Sequence, residues 1–425
     1  MNILIRNALS ILPDEVKVCS VYIKDGIIAS VDKEPEGFKA EKIIDGTGRL
    51  LVPGFVNAHT HMYMSCLRNC ANDLAFMPWL FENVIPLENQ LTHDDARWGI
   101  LLSCMEMLSG GITSVLDMHM FPSTTPAALK EAGMRAVVSR GLQGDKDSRE
   151  GGEMRIEQAV AEMKEFKDVP TLSFMLAPHA PYTCDDVYMK EIAKKAKELG
   201  VGIHTHLSES VDEQNTIRER YGCTPTELLD DCGLLSENTV CAHCVQLSES
   251  DMELFAKRGV SVVHNISSNL KLGNGFAPIE KMMEHGINVA LGTDGCCSNN
   301  NQSILKEMQM TALVHKGTSL NPTSVKASEV FDMATVNGAK AMGLEGKVGE
   351  IKPGMAADLS LYDLDFPGFF PMREPKSALC YSSAGLRAET VLVNGEVLME
   401  KGEYKTIDAD RVRFEINALS KRLNK

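Results

Sequence analysis

The residues of this chain best suited to chemistry are imidazoles and carboxylates that end apolar runs. His59-Thr60-His61 follows Pro53-Gly54-Phe55, with three residues between, at the end of one such run. On a strand, positions i and i+2 point the same way, so both imidazoles can reach one metal ion. His204-Thr205-His206 repeats the pattern. Either of its histidines can ligate, or one can be structural. Glu209, three residues past His206, is a natural proton carrier. Asp294, in Leu291-Gly292-Thr293-Asp294-Gly295, is a candidate ligand, or else a turn residue capping the next helix. Its two flanking glycines suit close approach of backbone to a ligand. His243 lies between Cys241 and Cys244. It is either a buried, hydrogen-bonded histidine or an imidazole beside an activated water. His119 and His179 end two further runs. Such groups at the ends of core strands cost free energy unless they bind something.

Eight apolar, strand-like runs carry or separate these residues: 55–62, 112–119, 135–141, 171–179, 202–209, 239–245, 261–267 and 287–295. Helical stretches such as 185–199 and 250–258 alternate with them, as repeated β–α units require. Eight units in about 300 residues predict an α/β fold of the (β/α)8 TIM-barrel type, with its active site at the C-terminal ends of the strands. The first ~50 residues read instead as short strands with turns at Lys24-Asp-Gly-Ile27 and Asp45-Gly-Thr-Gly48. Near the other end, Glu389–Lys405 reads as a hairpin with an Asn394-Gly395 turn. Val412, Ile416, Leu419 and Leu423 share one helical face. The expected division is a β-rich first part at 1–54, the barrel at 55–350, and at 351–425 the second part of one small β-sandwich domain, with a terminal helix.

The 425 residues are 44% hydrophobic and 24% charged, ordinary for a globular protein, with a formal net charge of −15. So acidic a chain repels phosphate backbones and anionic lipid, which argues against nucleic acid and membrane partners and for a small neutral or zwitterionic substrate. No apolar run reaches membrane-spanning length and the N-terminus does not read as a signal peptide. The twelve cysteines then suggest reduced thiols in a cytoplasmic protein. Cys241 and Cys244 lack a second pair at zinc-finger spacing and are read as buried thiols.

The order of motifs resembles the amidohydrolase superfamily, and within it the S-adenosylhomocysteine/methylthioadenosine deaminase group. The matching stretches are Pro53–His61, Trp79-Leu80-Phe81, Ala177–Tyr182, His206–Glu209, Ala242-His243-Cys244, Ser267–Gly275 and Gly292–Gly295. Together they span nearly the whole chain, and the last two are quite specific. The resemblance implies one divalent ion per subunit, zinc, held by His59, His61, His206 and Asp294, which leaves His204 structural. It implies that Glu209 moves protons on the purine ring and that His243 steers the attacking water. Trp79 walls the pocket, Glu88 in Pro86-Leu-Glu88 takes the ribose hydroxyls, and His179 contacts the base. Ser298 joins Glu209 and Asp294 on the substrate side. Arg140 and Arg155 match residues that hold a substrate carboxylate, with Arg149 competing for the second place. The binuclear members of the superfamily carry a bridging lysine on strand four. The run TLSFMLAPHAPY has none, which favours one metal ion over two.

The expected reaction is hydrolytic removal of the 6-amino group of an adenosine-type nucleoside. Asp294 takes the water's proton and Glu209 protonates purine N1. A homo-oligomer, dimer or tetramer, is implied by the resemblance alone. Two rival readings stay open: a deaminase of a free base such as guanine or a triazine hydrolase, and a non-catalytic binding subunit. Glu88 argues against the first, unless it is a solvated carboxylate at a helix end.

Overall fold

The structure, a computed structural model, describes residues 1–144 and 149–423, with Arg149 and Glu150 as backbone alone. All eight apolar runs form strands of one parallel sheet in chain order: Phe55–Thr60, Ile112–His119, Arg135–Leu142, Leu172–Pro178, Gly202–Leu207, Thr239–His243, Ser261–His264 and Asn288–Leu291. They are numbered one to eight below. Strand one meets strand eight where the Asp294 N–H donates to the His59 carbonyl at 3.0 Å. The Asn57 amide also donates to the Thr293 hydroxyl at 2.8 Å and accepts from the Thr293 N–H at 3.0 Å. The sheet is therefore a nearly closed barrel. Buried on both faces, its strands read as unbroken apolar runs rather than as alternation. Val56, Leu116, Val137, Met175, Val240, Val263 and Ala290, from every strand but the fifth, share one apolar cluster.

The returning helices begin where the sequence offers caps. Asp185 accepts from the Tyr188 N–H and starts Asp186–Leu199. Ser248 and Asp251 form a reciprocal capping box at the head of Glu249–Arg258. Glycines in the left-handed conformation end both helices.

Both chain ends join in one nine-stranded mixed sheet. Asn2–Ile11 pairs antiparallel with Val16–Lys24, and parallel with Lys42–Asp45 and Arg49–Pro53. Arg49–Pro53 then pairs with Leu359–Asp363, which leads on through Ala388–Val393 to Glu396–Glu400. The Asn394-Gly395 turn has φ of 51° and 74°, both positive as a two-residue hairpin of this hand requires. Ile3, Ile5, Val21, Ile28, Leu359 and Leu392 fill this sheet's own core. The last helix, Ala409–Leu423, buries Val412 and Leu419. The sheet is tied to the N-terminal end of strand three by Arg135, which donates to both oxygens of Asp358 at 2.7 and 3.0 Å. Among the described residues, no helix is long and apolar enough to cross a membrane.

Candidate metal centre and active-site cleft

The polar groups gather at the C-terminal ends of the strands because the backbone turns sharply there. Ser208, His243 and Asp294 have φ of 51°, 72° and 59°, a strained region for residues other than glycine. After strand five the buried Glu213 carboxylate accepts the N–H groups of Ser208 and Glu209 at 3.0 and 2.8 Å, which pins Glu209 over the barrel mouth. After strand eight Gly292 is obligatory, since a Cβ there would lie 2.9 Å from the His59 backbone nitrogen and 2.7 Å from Val263. The close approach that glycine permits is thus between strands, not toward a ligand.

His59, His61, His206 and Asp294 each offer one ligand atom, all within 4.8 Å of one another and all buried. The His61 Nδ1–H donates to the Met118 carbonyl at 2.8 Å, and the His206 Nδ1–H to the His179 carbonyl at 2.7 Å. A carbonyl only accepts, so both Nε2 atoms are left as bare lone pairs, 3.1 Å apart. Asp294 Oδ1 lies 3.3 Å from His61 Nε2 and 3.4 Å from His59 Nε2. His59 Nε2 is buried with no hydrogen-bond partner. Lone pairs facing a carboxylate at such distances repel one another unless a cation sits between them. A tetrahedron with metal–nitrogen bonds of about 2.0 Å has edges of about 3.3 Å. The donor set therefore fits one divalent ion with nitrogen and oxygen ligands.

Burial holds His59 in its neutral form, with its pKa lowered to about 4, and takes His206 well below the usual imidazole range. Burial alone would raise the Asp294 carboxyl. Its contact with His59 and the charge that His243, His61 and His59 carry when protonated outweigh that and hold it well below the ordinary range. Its other oxygen, Oδ2, accepts from the Ser268 and Ser298 hydroxyls, both at 2.7 Å. Glu209 behaves oppositely. Burial first, then the nearby Asp294 charge, push its pKa well above the ordinary value, although the Asn274 amide donates to it at 3.1 Å. The pKa values of two carboxyls in one site are thus driven in opposite directions. The His243 Nδ1–H donates to Asn269 Oδ1 at 2.8 Å, which turns Nε2 toward the site, 3.8 Å from Glu209 Oε2.

A cleft opens over these groups. Phe76, Trp79, Leu80, Val84 and Ile85 form its apolar wall, while Glu88, His179, Glu209, His243, Asp294 and Ser298 supply polar atoms. The Trp79 Nε1–H donates to the Cys297 carbonyl at 3.3 Å. Glu88 takes a hydrogen bond from the Tyr63 hydroxyl, and burial raises its pKa despite that bond. His179 is lowered to about 3 by burial, and its Nδ1 is 3.0 Å from the Thr183 hydroxyl.

Arg140 and Arg155 do not line this cleft. Arg140 donates to the Gly141 carbonyl at 2.7 Å, and Arg155 to the carbonyl of Gln143, which does line it. The Arg149 side chain lies outside the described residues. His119, although it ends strand two, pairs with Glu162 at 3.0 Å rather than with the other imidazoles. Sequence reasoning gave no role to Tyr63, Ser268, Asn269, Asn274 or Glu213. For Ser268, Asn269 and Asn274 a signal existed, because all three fall in the specific stretch Ser267–Gly275. Cys241 and Cys244 are buried free thiols, as read from sequence.

Residues 50–398 match the profile of the Amidohydrolase family. A 5-methylthioadenosine/S-adenosylhomocysteine deaminase of Acetivibrio thermocellus is 41% identical over 435 residues, with 100% of both chains covered. A 5'-deoxyadenosine deaminase of Methanosarcina mazei is 39% identical, covering 97% of this chain and 96% of its own. The crystal structure of an adenosine deaminase from Xanthomonas campestris with bound zinc superposes with a TM-score of 0.94. It is 30% identical, with 99% of this chain and 98% of that one covered.

Proposed function

The chain belongs to the amidohydrolase family, and from that premise we propose that it is a zinc-dependent aminohydrolase. It removes the 6-amino group of an adenosine-type nucleoside to give the inosine analogue and ammonia. The observation that carries this reading is the pairing of a ready-made cation site with a buried carboxyl, Glu209, that lines the same cleft.

His59, His61, His206 and Asp294 would hold the ion. When bound, zinc lowers the pKa of water from 15.7 to about 7 and so supplies a hydroxide nucleophile at neutral pH. Glu209 gives its proton to N1 of the purine, which makes C6 electrophilic. His243, its Nδ1 held by Asn269, offers Nε2 to orient the water. Asp294 accepts one proton of the water and passes it to the departing nitrogen, and the second returns to Glu209 as the C6 carbonyl forms, so that one water is consumed and one ammonia released. Ser268 and Ser298 fix the Asp294 carboxylate for this task. Glu88, steadied by Tyr63, takes the ribose hydroxyls, which a free base does not have. His179 reaches the base and Trp79 closes the apolar wall.

Methylthioadenosine, 5'-deoxyadenosine and adenosine place little beyond the ribose and suit the apolar wall as it stands. S-adenosylhomocysteine adds a carboxylate, for which Arg140 or Arg155 must exchange a backbone carbonyl for the substrate. The active form is a cytoplasmic homo-oligomer, dimer or tetramer. The test is ammonia release from purified, zinc-loaded protein given adenosine, 5'-deoxyadenosine, methylthioadenosine, S-adenosylhomocysteine and guanine. Activity on at least one nucleoside is expected. Activity on guanine alone would end the nucleoside reading. A folded protein inert on all five would favour a binding subunit.

A further inference from the structure

We propose that Ser139 and His204, neither of which lines the cleft, are positioning residues that fix the ring proton of His59 on Nδ1 and so keep its Nε2 lone pair free for the cation. The two form a hydrogen-bonded chain inside the barrel, running from strand two through strands three and five to strand one. The Ser139 hydroxyl donates to the Asp117 carbonyl at 2.9 Å. Ser139 Oγ is also 2.9 Å from His204 Nδ1, and His204 Nε2 is 2.7 Å from His59 Nδ1. Asp117, Ser139, His204 and His59 are all at 0% exposure, so water cannot relieve a mismatch.

Counting protons sets the direction of the chain. The Asp117 carbonyl has none to give, so the single hydroxyl proton of Ser139 is committed to it. Toward His204, Ser139 Oγ is then an acceptor, and His204 carries its proton on Nδ1. An uncharged imidazole has only one such proton, so His204 Nε2 is bare and accepts from the His59 Nδ1–H. His59 Nε2 is left bare, as a ligand must be. Were Ser139 to donate to His204 instead, every proton would shift one place and His59 Nε2 would carry hydrogen. His61 and His206 are oriented by carbonyls directly, at Met118 and His179. No carbonyl is bonded to the His59 ring among the described residues; its orientation passes through two intermediaries and ends at the Asp117 carbonyl.

The experiment measures zinc affinity by competition with a chromogenic chelator. Ser139→Ala frees His204 to adopt the other tautomer, and the dissociation constant should rise about 10- to 100-fold, the range seen when partners of metal-bound histidines are removed. Ser139→Thr, which keeps a hydroxyl, should restore tight binding. An S139A protein that binds zinc as tightly as wild type overturns the proposal, even if its metal-free form melts at a lower temperature. A second measurement needs no variant. Long-range proton–nitrogen NMR of the full-length, 15N-histidine-labelled protein should show His204 as the Nδ1–H tautomer, and the Nε2–H tautomer would refute the relay. Both readouts follow zinc or protons and not turnover, so they stand apart from the outcome of the nucleoside panel.

Discussion

The two ends of the barrel bury charge in opposite ways. At the N-terminal end of strand three, Arg135 meets Asp358 through two hydrogen bonds of 2.7 and 3.0 Å. The Asn394 N–H adds a third at 2.7 Å, so both carboxylate oxygens are occupied. At the C-terminal end, two bare imidazole nitrogens stand 3.1 Å apart, a third has no partner, and a carboxylate oxygen faces them all. A closed set of bonds fastens the small sheet to the barrel. An open set of lone pairs needs a cation, and with the cation comes chemistry. The distinction lies in hydrogen-bond satisfaction, since both ends are equally buried.

This contrast breaks most sharply at Glu209. Glu209→Gln should lower turnover by about 10²–10⁴-fold while zinc content stays at the wild-type level. Retained activity would remove Glu209 from its role. The pH profile gives the same test a sign. Glu209 acts in its protonated form and burial raises its pKa, so activity should persist above the ordinary carboxyl range and fall as pH climbs through the raised value. That alkaline limb should vanish in E209Q.

The opposite end should respond in stability, not in rate. Asp358→Ala leaves the Arg135 charge buried and unpaired, which costs about 3–5 kcal/mol. The denaturation midpoint should drop accordingly, while activity per folded, zinc-loaded molecule holds. Replacing both partners by apolar residues, R135M with D358L, should cost much less than the single change. A large loss of turnover in folded D358A would erase the division between the two ends. The smallest effect concerns Glu88. Glu88→Ala removes hydrogen bonds from a charged group worth about 1.5–3 kcal/mol, so nucleosides should weaken roughly 10- to 100-fold relative to free adenine. Equal losses for both would place Glu88 away from the ribose.

Much of this was legible in the sequence. Strands buried on both faces are continuous apolar runs, and all eight were visible as such. His59, His61, His206 and Asp294 stood at run ends, where an ionisable group is costly unless it is paired or binds something. What could not be read depends on contacts made across the barrel. Whether His204 or His206 faces the ion is set by which ring meets a carbonyl, and spacing alone does not reveal that. His119 looked like a member of the cluster until Glu162, 43 residues away, claimed it. Arg140 sits on the right strand, yet its guanidinium is engaged by nearby carbonyls and does not enter the cleft lining. Gly292 was read as room for a ligand, whereas it is room for the neighbouring strand.

The most direct test of the account is a metal titration. Protein stripped by chelator and supplied with methylthioadenosine should regain ammonia release in proportion to added zinc and reach a plateau at one equivalent per chain. A plateau at two equivalents, or a folded protein that takes up zinc and releases no ammonia from any nucleoside, would contradict it.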